Sequence, residues 1–204
     1  MKRLLLIRHC ETILGQGEEP GERRYIGRTD PPLGKAGVEA ARGLPARVCP
    51  SLPRGEPTAV VSSPARRAVE TARPIAREGG LPMERDPDLW EIDFGRWEGM
   101  RFPEIAARDP ALVDEWARGL RGFRFPGGEG LWEFQERVAR AGDRMRDRPE
   151  EWLVIVTHGG VIRFLLCHFL GLPYSSHLSF EVGMGSVTRL RLYEGGAVLT
   201  GLNG

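Results

Sequence analysis

Three short apolar runs, Leu4-Leu5-Leu6-Ile7, Thr58-Ala59-Val60-Val61 and Leu153-Val154-Ile155-Val156, constrain this chain more than any other feature. None alternates with polar residues, so each predicts a strand covered on both faces, as in the centre of a parallel sheet. Covering both faces takes helices, and the intervening sequence supplies them. Ala65, Ala68, Val69, Ala72, Ile75 and Ala76 follow the i, i+3, i+4, i+7 spacing, and Leu131, Phe134, Val138, Ala141 and Met145 form a second stripe. A further helix is expected from Lys35 to Leu44, ended or kinked by Pro45, and an apolar one from Val161 to Leu170. Ser186 to Tyr193 and Ala197 to Leu202, joined by Glu194-Gly195-Gly196, read as two strands completing the sheet at one edge. The expectation is an α/β fold, a three-layer α/β/α sandwich with a mostly parallel sheet. Segments 14–32 and 95–130, rich in Gly, Pro and Arg, are expected as long loops or short helices outside the core.

A chain of 204 residues without repeat or linker suits one domain over 1–204, with a loop or cap region at about 96–130. Lys and Arg (29) against Asp and Glu (28) leave a net charge of +1, too little to hold nucleic acid or an anionic membrane, so any anion site is local. Met1-Lys2-Arg3 leads into too few apolar residues for a signal or membrane segment. Cys10, Cys49 and Cys167 are too few and too scattered for a disulfide framework. The expected compartment is cytoplasmic. Only Lys2 and Lys35 are lysines, and Gln16, Gln135 and Asn203 are the only side-chain amides. That scarcity fits either a thermophile source or a GC-rich genome.

In an open parallel sheet, ligands gather beyond the carboxyl ends of the strands. There the three runs deliver Arg8-His9, then Ser62-Ser63 with Arg66 and Arg67 behind, and then Thr157-His158-Gly159-Gly160. Guanidinium forks match phosphate oxygens, and a neutral imidazole nitrogen can attack phosphorus. This combination points to phosphoryl transfer. A leaving alkoxide needs a proton, and Glu91 and Asp93 are both placed to give it; residue chemistry alone does not choose between them. Taken singly, His9 and His158 would read as core-edge histidines.

Five blocks in order change that reading. Arg8-His9-Cys10-Glu11-Thr12, Tyr25 to Leu33 (Tyr-Ile-Gly-Arg-Thr-Asp-Pro-Pro-Leu), Ser62 to Ala68 with Thr71-Ala72, Leu89-Trp90-Glu91 to Trp97-Glu98-Gly99, and Val156 to Arg163 resemble the histidine phosphatase (phosphoglycerate mutase-like) superfamily across nearly the whole chain. The resemblance implies His9 as nucleophile, with Arg8, Arg67 and His158 clamping the phosphoryl oxygens and Arg66 left outside. It implies Glu91 as proton donor and then activator of water, and Thr12, Gly27 and Gly159 as further substrate-binding positions. No metal or other cofactor is implied, because cationic side chains neutralise the charge. The implied partner is a small-molecule phosphate ester, and a homodimer is compatible with the resemblance. Similar mutases are longer, which favours hydrolysis over phosphoglycerate mutase activity. The short chain resembles the α-ribazole phosphatase branch, with phosphoserine, fructose bisphosphate and other sugar phosphates as further options. Arg101, Phe102, Trp116, Phe123, Arg124 and Phe125 are the expected pocket walls.

Some positions depart from the pattern. Cys10 replaces a glycine and is expected to narrow the pocket. Gly15 stands where an asparagine often contacts phosphate, and Gly130 replaces a serine that would cap the following helix, leaving Glu129 to favour that helix N-terminus. These departures motivate a second reading, a catalytically weak module that binds phosphorylated ligands. A thiol phosphatase would want an arginine six residues after its cysteine, where Gln16, Gly55 and Pro173 stand instead. His168 and His177 lack metal-ligand spacing and are read as structural. Gly34-Lys35 is followed by Ala36, so the phosphate-cradling loop motif is absent. Arg163, Arg66, Arg23 and Arg24 are expected to be solvated or ion-paired, with Arg23 and Arg24 also candidates for the pocket mouth. Glu98 is expected to be a loop residue.

Overall fold

The computed structural model describes residues 1–15, 24–53, 55–118 and 122–204. The apolar runs become β1 (Lys2–Arg8), β2 (Thr58–Ser62) and β4 (Trp152–Thr157), with β3 at Met83–Arg85, β5 at Val187–Tyr193 and β6 at Gly196–Gly201. They form one six-stranded sheet in the order β3-β2-β4-β1-β5-β6, parallel from β3 to β1, with β5 antiparallel to both its neighbours. The pleat sends Leu4, Leu6, Leu153 and Ile155 to one face and Leu5, Ile7, Val154 and Val156 to the other. The first face packs on α5 (Leu131–Asp147) and α6 (Gly159–Leu170), the second on α1 (Lys35–Val48) and α2 (Arg66–Gly79). This is the three-layer sandwich that the doubly covered strands require.

Three sequence expectations need correction. First, α1 runs through Pro45 to Val48. Proline forfeits a single ladder bond there, its ring is buried, and its carbonyl accepts the Cys49 N–H that closes the helix. Second, β3 is an additional edge strand, three residues long, with no apolar pattern to announce it. Third, segment 95–130 does form short helices, α3 (Phe102–Arg108) and α4 (Pro110–Ala117), yet it is not outside the core. Trp97, Ile105, Phe123 and Phe125 are all buried, with the Trp97 and Phe125 rings 5.4 Å apart and edge to face. The aromatic residues join the apolar cluster that also holds Phe134 and Val138 of α5, which buries more apolar surface than the Gly, Pro and Arg content suggests. No helix among the described residues is long and apolar enough to cross a membrane.

Candidate active site

The sheet places both candidate histidines. β1 and β4 pair in register up to Arg8 and Thr157, and the next residue on each strand is His9 or His158. The His9 N–H donates to the Thr157 carbonyl at 2.8 Å, and the two imidazole rings meet edge to face at 5.1 Å between centroids. Both rings are buried.

The hydrogen bonds decide the tautomer of His9. Its Nδ1 lies 2.9 Å from the Cys10 carbonyl oxygen, which only accepts, so Nδ1 carries the hydrogen and Nε2 keeps its lone pair. Burial, reinforced by the charges of Arg67 and Arg8, holds the imidazole well below its ordinary pKa and therefore neutral. The Cys10 peptide is fixed in turn, because its N–H donates to Thr71 Oγ1 at 3.0 Å while that hydroxyl donates to the Arg67 carbonyl. His158 is held below its ordinary pKa first by burial, then by Arg67 and its other neighbours. Its Nε2 lies 2.8 Å from Ser63 Oγ, which accepts the Ala65 N–H and so can point its own hydrogen at the imidazole. That assignment leaves His158 Nδ1 as the N–H, and among the described residues this buried nitrogen has no partner.

Arg67 is fully buried. Its Nη1 donates to the Thr29 carbonyl and its Nη2 to the Gly27 carbonyl, both at 2.8 Å, while Nε has no partner among the described residues. Arg66, one residue earlier, faces solvent and pairs with Glu70. The loop that receives Arg67 is gathered by Glu98, whose carboxylate accepts the backbone N–H groups of Gly27, Arg28, Thr29 and Phe94. Glu98 is thus a loop residue with a structural task. Gly27 does not line the cavity. Its N–H is taken by Glu98, and a Cβ there would overlap the Ile92 carbonyl oxygen.

Glu91 is buried at the cavity wall. Its Oε1 accepts the Ile92 N–H at 3.1 Å and its Oε2 the Gly160 N–H at 3.0 Å, leaving one lone-pair direction on each oxygen open. Asp93 turns elsewhere, its Oδ1 accepting the Gly95 N–H. The two acids that sequence left open therefore separate by geometry. Behind Glu91, the buried Arg137 of α5 donates to the carbonyls of Asp88, Trp90 and Glu91 and to the Glu129 carboxylate. Glu129 is accordingly not directed to the α5 N-terminus as expected; Glu133 accepts the Gly130 N–H there.

A cavity of about 540 Å³ opens beside His9 and Glu91, and Arg67 and His158, both fully buried, are not among the residues that line it. Arg8, His9, Thr12, Glu91 and Gly159 line it, as does Gly15, which contributes no side chain. Of the expected walls, Phe102, Trp116 and Phe125 are present, whereas Phe123 packs in the core and Arg124 pairs with Glu133. Arg101 is not part of the lining. Sequence reading missed Arg163, His177, Tyr25 and Phe94 as lining residues. Arg163 is no solvated side chain: its Nε donates to the Phe180 carbonyl from within the wall. Arg24 lines the cavity and donates to the Gly99 carbonyl, while Arg23 lies outside the described residues. His168 pairs with Asp143, and no cluster able to hold a metal ion occurs among the described residues. Cys10 does not narrow the pocket, because its side chain is buried in the core on the α1/α2 face and burial pushes its thiol pKa up.

Two neutral imidazoles at adjacent strand ends, with buried guanidiniums and a carboxylate at the cavity wall, define a phosphoglycerate mutase-like α/β protein. The chain belongs to the histidine phosphatase superfamily (branch 1), whose family model matches residues 4–204. It is 39% identical over 193 residues to a bifunctional protein of Mycobacterium tuberculosis, covering 93% of this chain and 47% of that one, so the chain spans about half the length of the mycobacterial relatives it matches. It is 30% identical over 204 residues to phosphoserine phosphatase 1 of Hydrogenobacter thermophilus, covering 100% of this chain and 92% of that one. Among solved structures, the α-ribazole phosphatase from Shigella flexneri superposes with a TM-score of 0.84 at 29% identity, covering 99% of this chain and 96% of that one.

Proposed function

We propose that this protein hydrolyses a small phosphomonoester through a phosphohistidine on His9. The observation that supports the reading is the fixed tautomer of His9, whose neutral ring keeps an Nε2 lone pair, with His158 Nδ1 and Arg67 Nε buried and without a partner among the described residues. The His9 Nε2 pair forms a bond to phosphorus as the ester P–O bond breaks, and a protonated Glu91 gives its proton to the departing oxygen. Glu91 then takes a proton from water, whose oxygen attacks phosphorus and breaks the P–N bond, returning neutral His9 and free phosphate. Arg8 and Arg67 neutralise the equatorial oxygens and the neutral His158 donates its Nδ1–H to them, so the protein's own donors supply the charge stabilisation. Thr12 and Gly159 line the same cavity as His9 and Arg8, which supports their role as further phosphate contacts.

The aromatic walls suit a leaving group with a flat or apolar part. α-Ribazole 5′-phosphate is the first substrate to test, and phosphoserine the second, since relatives carry those names. The experiment is phosphate release from a panel of phosphomonoesters with EDTA present, comparing wild type with His9→Ala. Release that survives the chelator and vanishes in His9→Ala is expected, with label from a ³²P-ester retained on the wild-type chain after rapid acid quench. No release from any ester overturns the hydrolase reading in favour of a mutase or a binding module.

A further inference from the structure

Glu91 lies between a single-turn helix, Pro87–Leu89, and another at Gly95–Trp97, in backbone belonging to no strand or α-helix. Such a segment has to be held from outside, and the holder is Arg137. A guanidinium has five N–H donors, and here every one is matched. Nη1 donates to the carbonyls of Asp88 at 2.7 Å and Trp90 at 2.6 Å. Nη2 donates to the carbonyl of Glu91 at 3.0 Å and to Glu129 Oε2 at 2.9 Å, and Nε donates to Glu129 Oε1 at 2.6 Å. Glu129 extends the grip, since its Oε2 accepts the Asp93 N–H and its own N–H donates to the Asp93 carbonyl at 2.9 Å. An ion pair serving packing alone would need only the two carboxylate bonds; the other three go to the main chain around Glu91.

We propose that the Arg137–Glu129 pair is a positioning device for proton delivery, acting on the leaving-group oxygen through Glu91 and not on attack by His9. The inference rests on Glu91 being the proton donor. Its geometry is specific to that side of the site: apart from their bonds to each other, the pair's side-chain hydrogen bonds go to residues 88 to 93, and among the described residues none goes to Arg8, His9 or α2, which carries Arg67. A lysine at 137 keeps the charge but has three donors on one nitrogen, which cannot span three carbonyls and a carboxylate together.

The test is the dependence of kcat/KM on the leaving group. p-Nitrophenolate departs with little help from an acid, whereas an alkoxide does not, so p-nitrophenyl phosphate and glycerol 3-phosphate are the probes. Arg137→Lys is expected to lose about 10²-fold on glycerol 3-phosphate and less than about threefold on p-nitrophenyl phosphate, the size of effect a 1 Å misplacement of a catalytic group produces. Glu129→Gln, which keeps the side-chain shape, is expected to show the same split in smaller measure and serves if Arg137→Lys does not fold. Glu91→Gln runs in parallel. Equal losses on both esters, or none, in Arg137→Lys and Glu129→Gln while Glu91→Gln shows the split overturn the positioning role alone. Absence of the split in Glu91→Gln overturns the proton-donor assignment and this inference with it.

Discussion

Gly160→Ala should separate activity from stability in this protein. Gly160 is the second residue of α6, and its N–H is one of the two donors holding Glu91. A Cβ at this position would stand 3.1 Å from Glu91 Cδ and 3.3 Å from Oε2, and closer still to Oε1. To regain ordinary contact the carboxylate has to retreat by about 1 Å, a displacement that costs roughly 10²-fold in rate when it befalls a catalytic group. The same methyl improves the helix, since alanine is favoured over glycine in a helix by about 0.5–1 kcal/mol. The backbone at residue 160 has no positive φ to oppose the change. The assay is kcat/KM on an alkyl phosphate alongside thermal unfolding. The expected variant is about 10²-fold slower with an unfolding midpoint equal to or above wild type. A variant within about threefold of wild-type rate would show that Glu91 is not held where the reaction needs it, and would refute the reasoning.

Other perturbations have equally definite outcomes. Arg137→Met strands the largely buried Glu129 carboxylate and three carbonyls, so it should cost about 3–5 kcal/mol, read as a midpoint about 6–20 °C lower. Glu98→Ala removes the acceptor of four backbone N–H groups and should cost about 1–3 kcal/mol in chemical denaturation, with a loss of activity because the loop that holds Arg67 is freed. Cys10→Ala should leave kcat/KM unchanged and cost only about 1 kcal/mol, since the thiol faces the core. The pH dependence follows from His9 and His158, whose native pKa values are depressed. Above about pH 6.5 both states are neutral and contribute no slope. Below it the unfolded chain binds protons that the native one refuses, so stability should fall by about 1.4 kcal/mol per pH unit for each histidine until the native values are reached. Denaturation of wild type and of His9→Asn/His158→Asn between pH 7 and 5 checks this, the double variant losing that part of the slope.

The central sheet was legible because parallel strands buried on both faces cannot alternate, and Leu4 to Ile7 and Leu153 to Val156 display that directly. Met83–Arg85 was not, because a three-residue edge strand with exposed side chains has no burial to impose a pattern. Within the site, Arg8, His9 and His158 were legible from their place just beyond apolar runs. Trp97, Ile105 and Phe123 were misplaced because composition averages over a segment, whereas burial is decided residue by residue. Arg137 left a usable signal. It stands three residues after Phe134 and four before Ala141, on the apolar stripe of α5, where an unpartnered arginine would be untenable and one with a buried task is expected. Glu98 left none, because three of the four N–H groups it accepts, those of Gly27, Arg28 and Thr29, come from one distant loop and reach it only after folding.

The pairing of β1 with β4 also sets a scale. Neighbouring strands lie about 4.8 Å apart, and the rings that follow directly on them are separated by 5.1 Å. The hydrogen-bonded ladder therefore acts as a ruler for the site: His9 and His158 keep their spacing for as long as Arg8 stays opposite Thr157. The walls of Phe102, Trp116 and Phe125, carried on a different layer, contribute nothing to that measurement. Those walls can be redrawn without disturbing the distance between the two imidazoles.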